Sequence, residues 1–589
     1  MGCGDGMEVS SSRIKGASEQ LLHPPMHNLL PLTTLLFAAV AQGQKCTFGQ
    51  ACWPSTASWT AFNSTIGGRL IAPRPPASVC HAEEFDAVAC EEAKTNWFTD
   101  MWRATKPGAY ADLLWENGAE ECFIDSNKTA PCEQGLVPVL ATAAQGVSDI
   151  QESVKFAAKN NLLLVVKNTG HDFLGRSSGD GSFAIWTHNL KGIEFTDAFR
   201  PAGCPANTTS GSNQTAVTVQ PGEHWIDVYK AADEHGVVVV GGATRSVGAA
   251  GGWVLGGGHS ALGHLYGMGV DNVLQFTVVT ADGEHRTANA CQNSDLFWAL
   301  RGGGGSAFGV LTSVTYKTHP ALENVVITVA SWNGATAERT NAVSASLVKL
   351  IPSLSTSGWS GYFSLGPYNA SSSTDALLIH ANSPFAADVA AGNYTAINAT
   401  FASVFGAASA NQANITLKYI LLPSWDSVME NIVVQDIPTL RGVAGGRLLD
   451  AEALTNHAEA LIEMGTVNSA GASFNFVGGG VIAEIDPDSV ALHPYWRKTL
   501  VSYNIGASWA SSTSPADAVA LQAQVTARTQ ELAQLVGEDA GAYTNEADAN
   551  EPRWQEVFWG SHYPRLLQIK KTVDPKGVFT CNRCVGSEL

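Results

Sequence analysis

The chain has 589 residues, 45% of them hydrophobic, which is ample for a large core and more than one ordinary domain contains. Its formal charge of −19 argues against nucleic acid and against an anionic membrane surface as partners, since both demand a basic face. Beyond that, an acidic surface signals solubility and little else.

Residues 1–25 are polar and Gly/Ser-rich. A greasy run, Leu29–Val40, follows; it is too short to span a bilayer. Ala39-Val40-Ala41 has the small-x-small form of a signal-peptidase site, so Met26–Ala41 reads as a secretory signal peptide and 1–41 as leader, giving a secreted protein. Setting Cys3 aside with the leader leaves ten cysteines: Cys46, Cys52, Cys80, Cys90, Cys122, Cys132, Cys204, Cys291, Cys581 and Cys584. An even number suits disulfides in an oxidising compartment, although spacing leaves the connectivity open. Cys581-Asn-Arg-Cys584 lacks the second pair of a zinc site and the βαβ context of a thioredoxin motif, so it too reads as a disulfide. Sequons at Asn63, Asn127, Asn207, Asn213, Asn369, Asn393, Asn398 and Asn414 are expected surface glycosylation sites.

From residue 137 the pattern turns to alternating strand and helix. Strands are expected over Val137–Thr142 and Leu162–Val166. The helix between them would open on a Ser148-x-x-Gln151 capping box and bury Ile150, Val154, Ala157 and Ala158. A second unit follows, with strand Ala216–Val219, helix Trp225–His235 and strand Val237–Val240. Val273–Thr280 and the residues after Asp282-Gly283 form a hairpin; then come helix Asp295–Arg301 and strand Val310–Lys317. Beyond His319-Pro320 the composition becomes Ala/Ser/Thr-rich, with strand-like pieces at Val325–Ser331, Ala376–His380 and Ser473–Ile482. The last fifty residues are aromatic and basic.

Three Gly-rich loops, around Gly170, at Gly251–Gly258 and at Gly302–Gly305, are read as following strands. Glycine lets backbone N–H groups approach phosphate oxygens, so together they suggest a nucleotide cofactor, while each alone could be a tight turn. Gly179-Asp-Gly181-Ser-Phe-Ala184 matches G-x-G-x-x-A, but it follows a polar loop and precedes a strand, not a helix. NAD(P) is thereby disfavoured, as is ATP for want of a Walker loop.

Several segments resemble the vanillyl-alcohol-oxidase superfamily: Lys167-Asn-Thr-Gly-His171-Asp, Gly251-Gly-Trp-Val-Leu-Gly-Gly-Gly-His259 through Gly267, Asp271-Asn-Val, and Asn293 through Val310. The ending, with Tyr543-Thr-Asn-Glu, Trp554 and Gly560-Ser-His-Tyr563-Pro-Arg, is similar to that of berberine-bridge-enzyme-like oxidases, in the manner of fungal secreted members. The resemblance implies an α+β fold: a two-subdomain FAD-binding domain of p-cresol-methylhydroxylase type over 42–320 (core about 132–320), a substrate domain built on an antiparallel sheet with helices over 321–540, and a segment 541–589 folding back on the FAD domain. It implies FAD attached through its 8α-methyl to His171, with Lys167, Asn168, Thr169, Gly170, Asp172, Gly251, Gly252, Gly257, Gly258, His259 and Asn272 as further flavin-binding residues and no metal. Thr244 stands where many such enzymes place a second, cysteinyl link, so a single covalent link is expected. Trp253 replaces a histidine, which puts flavin contacts carried over at that point in doubt.

The resemblance further implies hydride transfer from an alcohol, sugar or secondary metabolite and reduction of O2 to H2O2, or alternatively a dehydrogenase or oxidative cyclase with little O2 reactivity. A secreted glycoprotein without activity is the reading from another class. Tyr543, Asn545 and Tyr563 are the catalytic candidates; a buried tyrosine becomes a base only if a nearby cation lowers its pKa. Structural hydrogen bonding is the plainer role for His259 and His264. A small molecule and O2 are the expected partners, with no nucleic acid and no membrane span; the oligomeric state is left open.

Overall fold

A computed structural model describes residues 44–589 except 118–121, 130, 207–211, 433–440 and 467–470. The leader, with Cys3, and the sequon at Asn207 lie outside the described residues.

Strands β1 (Leu70–Ile71), β2 (Leu140–Ala143), β3 (Leu164–Lys167) and β4 (Phe183–Trp186) form a sheet in the order β1-β2-β4-β3. Both β2 and β3 run parallel to β4. Parallel neighbours need a crossover, and helix α1 (Val147–Lys159) supplies it by burying Ile150, Val154 and Ala157. Its start differs from expectation. The N-cap is Gly146, so Ser148 lies inside the helix and no capping box forms. Asp149 takes over the first turn, pairing with Arg69 at 2.5 Å and accepting from the Gln145 N–H.

The next strands are β5 (Ile193–Phe199), β6 (Gln214–Val219), β7 (Val237–Val238), β8 (Val273–Val279), β9 (His285–Ala288), β10 (Val310–Lys317) and β11 (His319–Pro320). β5-β6-β10-β8-β9 is an antiparallel sheet, and β7 pairs with β11. Helix α2 (Trp225–Glu234) turns Trp225, Val228, Tyr229 and Ala232 inward at i, i+3, i+4, i+7 spacing. These join Val217, Phe276 and Tyr316 of the sheet in one core.

The remaining strands, β12 (Val325–Asn333), β13 (Trp359–Leu365), β14 (Thr374–His380), β15 (Asn414–Leu422), β16 (Arg441–Leu449), β17 (Gly471–Phe476) and β18 (Val501–Trp509), make a seven-stranded antiparallel sheet in the order β15-β12-β14-β13-β17-β18-β16. Helix α3 (Ala337–Thr356) packs Val343, Leu347, Val348 and Ile351 against Trp332, Phe363 and Phe474 of this sheet; helix α4 (Pro515–Val536) adds Leu532. The strand expected over Ser473–Ile482 stops at Phe476, because Gly479 and Gly480 take positive φ (80° and 54°) and turn the chain into a short helix, Val481–Glu484. Helices and mixed sheets thus give the expected α+β fold.

The cysteines pair as Cys46–Cys52, Cys80–Cys90, Cys122–Cys132, Cys204–Cys291 and Cys581–Cys584, with Cα separations of 4.7–6.0 Å. Among the described residues no helix is long and apolar enough to cross a membrane.

Candidate functional site

The loop leaving β3 begins one wall of a cavity of about 250 Å³. Asn168–Arg176 supply that wall, Gly242–His259 the second, Gly305–Leu311 part of a third, and Tyr543–Glu546 close it from the far end of the chain. The first loop is braced from within. The Asp172 carboxylate accepts from the Leu174 N–H (3.1 Å) and from the Ser177 N–H and hydroxyl (both 2.7 Å). Gly170 takes φ +97°, and a Cβ there would come within 2.9 Å of the Ala109 carbonyl. A side chain is therefore excluded both by conformation and by space.

His171 projects from this loop. Its Nε2 lies 2.8 Å from Ser246 Oγ. Its Nδ1 has no partner among the described residues and is not sealed inside the protein. Burial first, then the influence of the neighbouring His224 and Lys167 side chains, pushes its pKa down to about 4, so the imidazole is neutral at pH 7. Asn168 Oδ1 is buried without a partner among the described residues. A Cβ on Gly248 or Gly251 would meet the Asn168 amide at 2.6 or 2.7 Å, so those glycines make room for it.

The C-terminal wall is tied both to the second loop and to the large sheet. The Asn545 amide donates to the Trp253 carbonyl (3.1 Å) and to the Tyr543 hydroxyl (2.7 Å). Glu546 Oε1 lies 2.9 Å from His259 Nε2, and its Oε2 accepts from Asn475 (3.2 Å, β17) and Asn504 (2.8 Å, β18). Tyr543 packs edge-on against His259, with ring centroids 4.9 Å apart. Burial, and then the Glu546 charge, raises the pKa of the Tyr543 phenol, the opposite of what a general base requires.

Of the residues singled out in the sequence, Asn168, Thr169, Gly170, His171, Asp172, Gly251, Gly252, His259, Tyr543 and Asn545 line this cavity, as do Thr244 and Trp253. Five others do not. Lys167 lies beneath the wall: its ammonium donates to the Lys106 carbonyl (3.2 Å), lies 5.5 Å from the Tyr110 ring and 5.7 Å from that of Trp186, and burial lowers its pKa to about 7. Gly257 and Gly258 serve close packing against Leu492 and Trp253. Asn272 ties the Tyr266 and Met268 carbonyls together (2.9 Å each). Tyr563 packs on Trp554 and Trp559, with its hydroxyl bonded to Glu588. The Gly302–Gly305 loop follows the helix Ser294–Leu300 instead of a strand. Three contributors escaped the sequence reading: Ser246, Glu546 and Arg176. Arg176 lines the cavity and donates to the carbonyls of Asn582 (3.2 Å) and Arg583 (3.0 Å), between the paired Cys581 and Cys584. The Tyr543-Thr-Asn-Glu string held Glu546 in view, Arg176 stands five residues after His171 and Ser246 two after Thr244, but nothing in the sequence assigned any of the three a role.

Comparison with known proteins points to a flavin-binding chain. Residues 138–289 match a family described as "FAD binding domain", and 542–586 one described as "Berberine and berberine like". An FAD-linked oxidoreductase of Arthroderma benhamiae is 40% identical over 551 residues, covering 92% of this chain and 94% of that one. The crystal structure of the VAO-type flavoprotein MtVAO713 of Myceliophthora thermophila superposes with a TM-score of 0.83 at 29% identity, over 92% of this chain and 97% of the other. Glucooligosaccharide oxidase of Acremonium strictum, whose FAD is described as 6-S-cysteinyl and 8α-N1-histidyl, shares the fold at 20% identity and a TM-score of 0.61, over 76% and 92% of the two chains. The fold is that of a VAO-type flavoprotein. The chain belongs to the FAD-linked oxidoreductases.

The walls suit an FAD on their own terms. Asn168 Oδ1 waits for a donor. A Cβ on Gly252 would meet no atom within 4 Å although that residue lines the cavity, so the missing side chain leaves open space.

Proposed function

We propose that this enzyme carries FAD covalently on His171 as a single link, oxidises an alcohol, sugar or secondary metabolite, and passes the electrons to O2 to give H2O2. The observation that carries the reading is the neutral His171 in the cavity wall with Nδ1 unpartnered: an imidazole lone pair free to bond carbon. Thr244, at the cavity wall where a cysteine would make a second link, supports a single attachment. When bound, FAD supplies the two-electron chemistry, accepting hydride from the substrate.

The chain's own groups do the rest. Asn168, Asn545 and the glycines of the second loop hold the cofactor's place. The Tyr543 phenol keeps its proton and orients through Asn545. Glu546 is the proton acceptor that Tyr543 is not; its carboxylate lines the cavity, and His259, Asn475 and Asn504 fix its orientation. Residues 42–320 would then bind the cofactor, 321–540 shape the substrate site, and 541–589 close the cavity. Five cysteine pairs support passage through an oxidising, secretory compartment.

Purified protein should be yellow, its flavin should stay with the chain through acid precipitation, and His171→Ala should release it. Flavin washing out of the wild type overturns the covalent link. A peroxide-coupled screen of alcohols, oligosaccharides and phenolics tests the acceptor and substrate class together. Stopped-flow reoxidation too slow to support turnover in air would replace the oxidase with the dehydrogenase reading.

A further inference from the structure

We infer that Ser246 is a positioning residue for cofactor attachment, its hydroxyl holding His171 so that Nδ1 is the nitrogen that bonds the flavin. The inference rests on the proposed link through His171.

A neutral imidazole has one N–H and one lone pair, and the bond to carbon forms at the nitrogen bearing the lone pair. Ser246 is fully buried, its Oγ lies 2.8 Å from His171 Nε2, and it has no other partner among the described residues. The strand of chain carrying it is pinned to the start of α2: the Trp225 N–H donates to the Val247 carbonyl (3.0 Å) and the Ile226 N–H to that of Arg245 (3.2 Å). The hydroxyl is therefore a fixed post against which the ring is held.

Attachment asks two opposite things of that post. Before it, Nε2 must keep the proton so that Nδ1 is bare, and Nε2–H then donates to Oγ. After it, Nδ1 is alkylated and Nε2 is an acceptor, so the serine O–H must donate. A hydroxyl does both by rotating. The proton on Nε2 also has to leave, because burial and the neighbouring His224 and Lys167 make a cationic ring costly at this site. The bond formed is Nδ1 to the 8α carbon. One proton leaves that methyl and one leaves Nε2. Two electrons reduce the flavin ring and pass with two protons to O2, which becomes H2O2.

The test uses full-length protein made in a flavin-starved host and then given FAD. Acid-stable flavin is followed over time, and the linked histidine nitrogen is identified by NMR of the flavopeptide. Wild type should become fully acid-stable through Nδ1. Ser246→Ala should still bind FAD reversibly, but gain acid-stable flavin about tenfold or more slowly, as loss of one orienting hydrogen bond predicts, with some linkage at Nε2. Ser246→Thr should restore the rate and the single isomer. Ser246→Cys, a weak donor of similar size, should fall between. A Ser246→Ala rate within about twofold of wild type, with Nδ1 linkage alone, overturns the inference while leaving the His171 link standing. If Ser246→Ala does not fold, a Ser246→Cys protein that attaches flavin as fast as wild type overturns it equally. Wild-type flavin lost in acid overturns the link and the inference together.

Discussion

At the scale of single residues, the cavity is governed by what glycine omits and what two carboxyl-terminal side chains add. Gly256 abuts Asn545 so closely that a Cβ there would lie 2.1 Å from Oδ1. Gly256→Ala should therefore displace Asn545, cost about 1–3 kcal/mol in denaturant unfolding, and weaken FAD retention. Gly252 is the contrasting case, since its missing Cβ faces open space. Gly252→Val should leave the apoprotein's Tm nearly unchanged and lower FAD loading, measured by absorbance after reconstitution. Glu546→Gln keeps the shape and removes the carboxylate proposed as the proton acceptor. It should slow flavin reduction by about 10²–10⁴-fold, with flavin content intact, once a substrate is found in the peroxide screen.

At the scale of elements, the closing segment is anchored by charge. Arg447 of β16 pairs with Glu551 at 3.0 Å, both fully buried, and Gln530 of α4 donates to the same carboxylate. Breaking such a pair strands a buried charge, so Glu551→Ala should cost about 3–5 kcal/mol and loosen the wall formed by Tyr543–Glu546. Equilibrium unfolding with and without FAD measures both effects. The sequence made some of this readable and hid the rest for physical reasons. The first half of the fold was legible because β2–α1–β3 and β6–α2 have apolar spacings that switch between strand and helix periods. Strand β16, Arg-Gly-Val-Ala-Gly-Gly-Arg-Leu-Leu, has no such pattern; it is a strand because β18 pairs with it along nine residues. In the same way His171 stood out through a local string, whereas its partner Ser246 is 75 positions away, His259 and Glu546 are 287 apart, and Arg176 and Asn582 are 406 apart. Tyr563 failed as a cavity residue because its aromatic neighbours pull it into the helix packing around Trp559.

At the scale of the whole molecule, buried histidines set the response to acid. His264 and His493 are buried and, like His171, have pKa values pushed down to about 4, chiefly by burial. The unfolded chain binds more protons than the folded one between that value and the ordinary histidine pKa. Stability is thus fully present above about pH 6.5 and falls as pH drops toward 4, by up to about 1.4 kcal/mol per pH unit for each of His264 and His493. Asp112, raised by burial to about 8, opposes this, since its contribution is lost as pH rises through 8. Unfolding free energies measured from pH 7.5 to 4.5 should fall toward acid, and less steeply in His264→Asn. The wall at Leu174–Arg176 is completed by Asn582 and Arg583, whose carbonyls receive the arginine, and by the Asn582 amide, which donates to the Leu174 carbonyl at 3.2 Å. A ribosome that has exposed His171 and every described strand has still not delivered Asn582 and Arg583 to that wall. The wall is therefore complete only once Arg583 is in place, and a chain stopped at Thr580 should build its sheets yet take up less FAD, measured by absorbance after reconstitution.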